Sequence, residues 1–264
     1  MSSVVKALRS FVAGSGAIAV VKAPPGSGKT HTLVESLEAG IKAGKRLIIA
    51  AQTNNQVDEI CGRIAARYAT REVVRFSSSG YQRPPDIDER VVFVDRKGAI
   101  PEGPIVMVAT VAKLALSKFD GDFDVLFVDE AWQMAWADFL PVRHVADRYV
   151  FIGDPGQIPP TVAIDVDRWE SSEHPPHQAT PTLILANPAL ATLRTELQLP
   201  TCRRLPHDSV RLVNRFYDFT FDSDAKPGER FIRPTRKAKV DGPAAEGVDL
   251  ALAAMWSTPI PATT

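Results

Sequence analysis

Four short segments of this chain carry side chains suited to holding phosphate and a divalent cation. They are Ala23-Pro24-Pro25-Gly26-Ser27-Gly28-Lys29-Thr30, Asp129-Glu130-Ala131-Trp132-Gln133, Gly153-Asp154-Pro155-Gly156-Gln157 and Leu199-Pro200-Thr201-Cys202-Arg203-Arg204-Leu205-Pro206. In the first, Gly26 and Gly28 remove side chains where a backbone must curl round a phosphate and turn its N–H groups inward. Lys29 can reach β- and γ-phosphates, and the Thr30 hydroxyl can ligate magnesium. Pro25, Ser27 and His31 complete the run expected to line the nucleotide. Asp129 and Glu130 can divide two tasks: the first holds magnesium, usually through water, and the second polarises the attacking water. A well-placed base of this kind gives about 10²–10⁴-fold in rate. Gln157 can hydrogen-bond both a γ-phosphate and the lytic water. Taken in order, the segments describe a chain that binds a nucleoside triphosphate and senses its terminal phosphate.

The elements around these segments must bring them to one place. Ala17 to Ala23 is a compact apolar run that reads as a buried strand. After Thr30, Leu33, Val34, Leu37 and Ile41 recur at helical spacing, so a glycine turn leads into a helix N-terminus, which attracts anions. Phe123–Val128 and Tyr149–Ile152 read as strands whose ends deliver Asp129 and Asp154. The full reading is strand 17–23, helix 30–42, strand 46–51, helix 55–69, strands 73–76, 91–94 and 105–110, helix 111–117, and strands 123–128 and 149–152. Such alternation predicts an α/β fold with a mainly parallel sheet flanked by helices, which binds ligands beyond its strand ends. Pro84 and Pro85 between two Val-rich runs suggest a hairpin-like excursion over 71–104. Residues 161–182 read as an irregular loop, 182–186 as a last short strand, 208–217 as a helix, and Val248–Trp256 as one more short helix.

Together these segments resemble superfamily-1 helicases, in particular the RNA-surveillance and Okazaki-processing branch, whose acidic box reads Asp-Glu-Ala-x-Gln. Leu47 to Asp58, with Thr53, Asn54, Val57 and Asp58 at its end, looks like that family's motif Ia, and Val106 to Ala112 like its motif Ic. The resemblance implies a RecA-like P-loop NTPase domain using ATP and Mg2+, with single-stranded DNA or RNA as partner. It makes Thr53, Asn54 and Thr110 candidates for contacting the strand backbone, although Asn and Thr also cap helices routinely. Leu199–Pro206, followed by Asn214, Phe216 and Tyr217, resembles motif IV. That gives Arg203, with Arg204 as alternate, the role of reaching the γ-phosphate; such arginine fingers are worth about 10³–10⁵ in rate. The resemblance spans about residues 17 to 217. It departs from the family in lacking a glutamine ahead of the phosphate loop and in its short insert. No segment like the family's last motifs follows.

The expected organisation is therefore a RecA-like domain over 1–196, with the insert at about 71–104, and an incomplete start of a second lobe over 197–264. The expected activity is slow ATP hydrolysis without processive unwinding by this chain alone, the missing lobe lying either in a second polypeptide or in a longer protein of which this sequence is a fragment. A nucleotide-gated binding module is the alternative; the intact Asp129–Glu130 pair speaks against it. A small-molecule phosphotransferase would leave Gln157 and Arg203 unexplained.

Composition narrows the class further. The chain has 264 residues, with 31 Lys+Arg balancing 31 Asp+Glu, which excludes a general polycation. From Arg203 to Lys239 ten Lys/Arg face five Asp/Glu, a local excess suited to a groove for nucleic acid or nucleotide, or to a solvated surface. Tyr217, Phe219 and Phe221 could stack on bases, but they also alternate like a strand on a core. No apolar run reaches membrane-spanning length, and residues 1–16 lack a secretory cleavage pattern. Two cysteines, Cys61 and Cys202, make no disulfide or metal framework, so a cytoplasmic setting is expected. His174 and His177 lack further ligands for a metal.

Overall fold

The computed structural model describes residues 3–68, 72–161, 165–169 and 171–226. Eight strands form one sheet: β1 (Ile18–Lys22), β2 (Leu47–Ala51), β3 (Val73–Phe76), β4 (Val91–Val94), β5 (Val106–Thr110), β6 (Val125–Val128), β7 (Tyr149–Gly153) and β8 (Arg194–Gln198). Their spatial order is β4-β3-β5-β2-β6-β7-β1-β8. Every pairing is parallel. Parallel strands are buried on both faces, which explains why β2 is a continuous apolar run with every residue buried.

Among the described residues seven α-helices accompany the strands: α1 (Ser3–Ala13), α2 (Lys29–Lys42), α3 (Asn54–Arg67), α4 (Val111–Ala115), α5 (Trp136–Phe139), α6 (Thr180–Ala186) and α7 (His207–Val213). On one face of the sheet Leu8 of α1, Leu37 of α2 and Ile60 and Ile64 of α3 pack against β1, β2 and β5 residues such as Val21, Ile49 and Val108. On the other, Phe119, Trp132, Phe139 and Ile184 cover Val20, Ile48, Leu126 and Phe151. A smaller unit follows β8. Strands β9 (Thr201–Cys202) and β10 (Asp222–Ser223) pair in parallel beside α7, around buried Cys202, Val210 and Phe221.

Three local expectations are corrected. The 71–104 stretch is no hairpin: β3 and β4 lie parallel, Val73 beside Val91, so residues 77–90 form a crossover of the length parallel neighbours need. Residues 182–186 are helical, within α6; Pro181 sits in its first turn, where a missing N–H costs nothing, and a short apolar run cannot by itself separate strand from helix. The predicted helix over 208–217 ends at Val213 and continues only as a 3-10 turn over Asn214–Phe216. Elements α1, α5, β8, β9 and β10 are additional to the sequence reading. The helix expected over Val248–Trp256, and the end of the basic stretch at Lys239, lie outside the described residues.

Candidate nucleotide site

The strand ends that carry the chemistry meet at one edge of the sheet. β1 is flanked by β7, with Lys22 beside Gly153, and by β8, with Lys22 beside Gln198. β6 lies on the far side of β7, with Val128 beside Phe151. The backbone locks this edge: Ala23 N–H donates to Gly153 O at 2.8 Å, Asp129 N–H to Ala50 O at 2.9 Å, and Leu199 N–H to Lys22 O at 2.9 Å. The phosphate loop then turns at Gly26 (φ 67°) and Gly28 (φ 87°), and α2 begins at Lys29. Gly26 is required twice, because L-residues avoid that φ and because a Cβ there would overlap the Cβ of Arg204.

A cleft of about 640 Å³ opens at this edge, lined by Pro25 through His31, Glu130, Gln157, Arg203 and Arg204, with Glu59 and Arg63 at its rim. Lys29 Nζ donates to Glu130 Oε2 at 2.6 Å. Glu130 is the only non-glycine among the described residues with positive φ, at 49°. Strained backbone of this kind costs of order 1–3 kcal/mol and gathers at functional sites. Asp129 is buried, and its Oδ1 has no hydrogen-bond partner. Burial, then the adjacent Glu130 carboxylate, push its pKa up to about 6 against the opposing pull of Lys29. A buried carboxylate oxygen without a donor, at the strand edge from which α2 begins with Lys29 and the hydroxyl of Thr30, fits a hard divalent cation with oxygen ligands. Thr30 and Asp129 are the residues that could hold it.

Gln157 is held from the side: Gln133 Nε2 donates to Gln157 Oε1 at 2.7 Å. Asp154, 1% exposed, anchors the turn before it by accepting Gly156 N–H at 2.9 Å and the Tyr217 hydroxyl at 2.7 Å through Oδ1. The β9 segment reaches the same place, since Arg203 N–H donates to Gly26 O at 2.9 Å and Cys202 Sγ lies 2.9 Å from Pro25 O. Arg203 faces the cleft with its side chain 61% exposed and 3.5 Å from Asp224 Oδ2. The structure thus gathers Lys29, Thr30, Glu130, Gln157 and Arg203, and places Asp129 directly behind them.

The three strand-contact candidates stand elsewhere on the sheet's carboxyl edge. Thr53 and Gln56 form a reciprocal capping box on α3, and Thr110 caps α4 by accepting Lys113 N–H at 3.2 Å. Asn54 Oδ1 accepts from Arg75 Nη2 at 2.7 Å. Thr53 and Thr110 are thus helix caps in this structure, while Asn54 holds buried Arg75. Tyr217, Phe219 and Phe221 stack on one another edge-on or tilted, around buried Phe221. Among the described residues no group of three or more potential ligands could hold a metal through His, Cys, Asp or Glu alone, and His174 stacks on Trp136 instead.

Sequence reasoning missed several site residues. Arg75 is wholly buried, pairing with Asp58 at 2.8 Å beneath Tyr81. A second cavity of about 600 Å³ adjoins the phosphate cleft, sharing Ser27, His31 and Arg203 with it. Its wall is a cluster in which Arg9 and Arg67 both pair with Glu35 and Glu38. Helical spacing places Glu35 and Glu38 on one face, but nothing in the sequence assigns Arg9 to them.

Comparison with known proteins follows the same lines. The family model for an AAA domain matches residues 2–92 and 104–164, more than half of the chain. The DNA replication ATP-dependent helicase/nuclease DNA2 of Saccharomyces cerevisiae is 25% identical over 158 residues, covering 57% of this chain and 10% of that protein. The DNA replication ATP-dependent helicase/nuclease JHS1 of Arabidopsis thaliana is 26% identical over 154 residues, covering 54% of this chain and 11% of its own length. The chain therefore spans about a tenth of these curated relatives. Among solved structures, arterivirus nonstructural protein 10 (helicase) superposes with a TM-score of 0.50 at 16% identity, over 87% of this chain and 46% of that one, a likeness of fold.

Proposed function

The chain belongs to the AAA domain family, and from there we propose that it is the ATP-hydrolysing motor domain of a superfamily-1-type helicase acting on single-stranded DNA or RNA. The observation that carries this reading is the single cleft shared by Lys29, Glu130, Gln157 and Arg203, with the unpartnered Asp129 oxygen behind it. In this reading residues 1–196 form the nucleotide-binding domain and the unit after them opens a second lobe.

The proposed chemistry uses residues already in place. Phosphates enter at the N-terminus of α2, where backbone N–H groups from Gly26 to Thr30 and the Lys29 ammonium face them. A γ-phosphate competes with Glu130 for Lys29, so substrate binding itself frees the Glu130 carboxylate. Glu130 then accepts a proton from water as that water attacks the γ-phosphorus, and the bridging oxygen leaves with ADP. Gln157, braced by Gln133, hydrogen-bonds the terminal phosphate and the water. Arg203 stabilises charge on the transferring phosphoryl group. Mg2+, held by Thr30 and Asp129, would supply further neutralisation of the phosphate oxygens. Thr53, Asn54 and Thr110 are proposed to meet the strand through backbone contacts, in addition to the capping by Thr53 and Thr110 and the Arg75 bond of Asn54.

Steady-state ATP hydrolysis, measured with and without single-stranded DNA or RNA, tests the proposal. Strand-stimulated turnover that Lys29→Ala abolishes is expected. Low turnover indifferent to the strand would instead identify a nucleotide-gated module, and phosphate transfer to a small acceptor would overturn the helicase reading.

A further inference from the structure

Tyr217 belongs to the unit after β8, yet its hydroxyl ends on a carboxylate that the first domain buries. It donates to Asp154 Oδ1 at 2.7 Å, the same oxygen that accepts Gly156 N–H at 2.9 Å. Gln157 N–H donates to Asp154 O at 3.2 Å, so one aspartate holds three sides of a turn that ends in the cleft. The aromatic ring presses on the turn from outside. A Cβ on Gly156 would overlap the Tyr217 ring and hydroxyl, so the glycine is there for close approach. The ring is itself clamped edge-on by Phe219 and Phe221 at centroid distances of 5.3 and 5.2 Å, and Lys22 of β1 pairs with the neighbouring Asp218 at 2.6 Å. Burial and the Asp154 carboxylate both push the phenol pKa up, which keeps the hydroxyl a donor.

We propose that Tyr217 is a positioning residue for hydrolysis: its hydrogen bond to Asp154 sets the Asp154–Gln157 turn and so delivers the Gln157 amide to the terminal phosphate. This rests on the reading of Gln157 as the phosphate-facing group. It makes the second unit a physical brace on that group, so that moving the unit relieves the turn and withdraws the amide.

The test is Tyr217→Phe in the full chain, with amide hydrogen exchange beside kinetics. Loss of a hydrogen bond to a charged acceptor should speed exchange at Gly156 and Gln157 by about tenfold or more, with α2 unchanged. ATP turnover should fall by about tenfold in kcat with KM held within roughly twofold, since the Lys29 cradle is untouched. In a Gln157→Ala background the same substitution should lower kcat no further, because a residue acting through Gln157 has nothing left to position. Gly156→Ala, which expels the ring from the other side, should reproduce the signature and decides the matter if Tyr217→Phe does not fold. Unchanged exchange at the two amides, or a full additional kcat loss in the Gln157→Ala background, overturns the proposal. If the unaltered chain hydrolyses no ATP, the assignment of the site fails, and exchange at the two amides alone decides whether Tyr217 holds the turn.

Discussion

A phosphate entering the cradle must displace a carboxylate before it can use Lys29, because Lys29 and Glu130 already hold each other at 2.6 Å. Lys29→Ala should therefore remove nucleotide binding, whereas Glu130→Gln should bind ATP at least as tightly and lose about 10²-fold or more in turnover. Equilibrium binding of a fluorescent ATP analogue, set beside phosphate release, separates the two. Asp129 gives a different prediction. Its ordinary pKa of 3.8 rises to about 6 in the fold, so its ionisation opposes folding. The opposition is absent below about pH 4 and grows as pH rises through about 6, to on the order of 2–3 kcal/mol at roughly 1.4 kcal/mol per tenfold change in proton affinity. Asp129→Asn should accordingly melt at least about 5 °C higher than the unaltered chain at pH 7.5 without metal, and no difference should be seen near pH 4. A melting point lowered at pH 7.5 would refute the cost assigned to this charge. At this scale the sequence was informative. Side-chain type and order pointed to Lys29, Thr30, Asp129, Glu130 and Gln157, and the family resemblance to Arg203; the fold brings all six to one edge of the sheet. The left-handed backbone of Glu130 and the Gln133–Gln157 bond were illegible, since both are set by how β6 and β7 lie together.

Nine strands and helices that the apolar runs and helical spacing implied stand within a residue or two of their expected bounds, while the helix at 111–117 ends at Ala115, because buried parallel strands and amphipathic helices advertise themselves. The elements that stayed hidden have physical reasons. β8 (Arg-Thr-Glu-Leu-Gln) is an edge strand with half its side chains in solvent, so it lacks the apolar run of its neighbours. The direction of β4 cannot be read from the prolines before it, as a turn and a crossover share the same composition. Arg75 is the largest such gap: a charged residue in β3 with no exposure, satisfied by Asp58, Asn54 and the carbonyl of Phe76. Its partners come from the start of α3, so it ties that helix to the sheet beneath it. Arg75→Ala should cost about 3–5 kcal/mol by leaving the Asp58 carboxylate beside an apolar gap. Urea denaturation of the two proteins measures this, and a loss below about 1 kcal/mol would show that the pair is incidental.

Both units hold the phosphate loop, because Gly26 packs against Arg204 and its carbonyl accepts the Arg203 N–H at 2.9 Å. At ATP concentrations near 100 times Kd the bound state should gain about 2.7 kcal/mol. For a domain of this size that amounts to a melting shift of about 5–10 °C in differential scanning fluorimetry. Gly26→Ala should abolish the shift, as the added methyl both forces an unfavourable φ and drives the second unit off the loop; a retained shift would show that the two units act independently. The sheet order has one more result, felt before the protein is finished. β1 emerges from the ribosome well before both of its hydrogen-bonding neighbours, β7 and β8, which lie far along the chain from it. At about 5–20 residues per second, the roughly 130 residues between β1 and β7 take on the order of ten seconds to synthesise. Through that interval the nascent strand bearing the cradle has neither neighbour to pair with, which makes it a natural client for cotranslational chaperones and delays ligand rescue of folding until the last strands arrive.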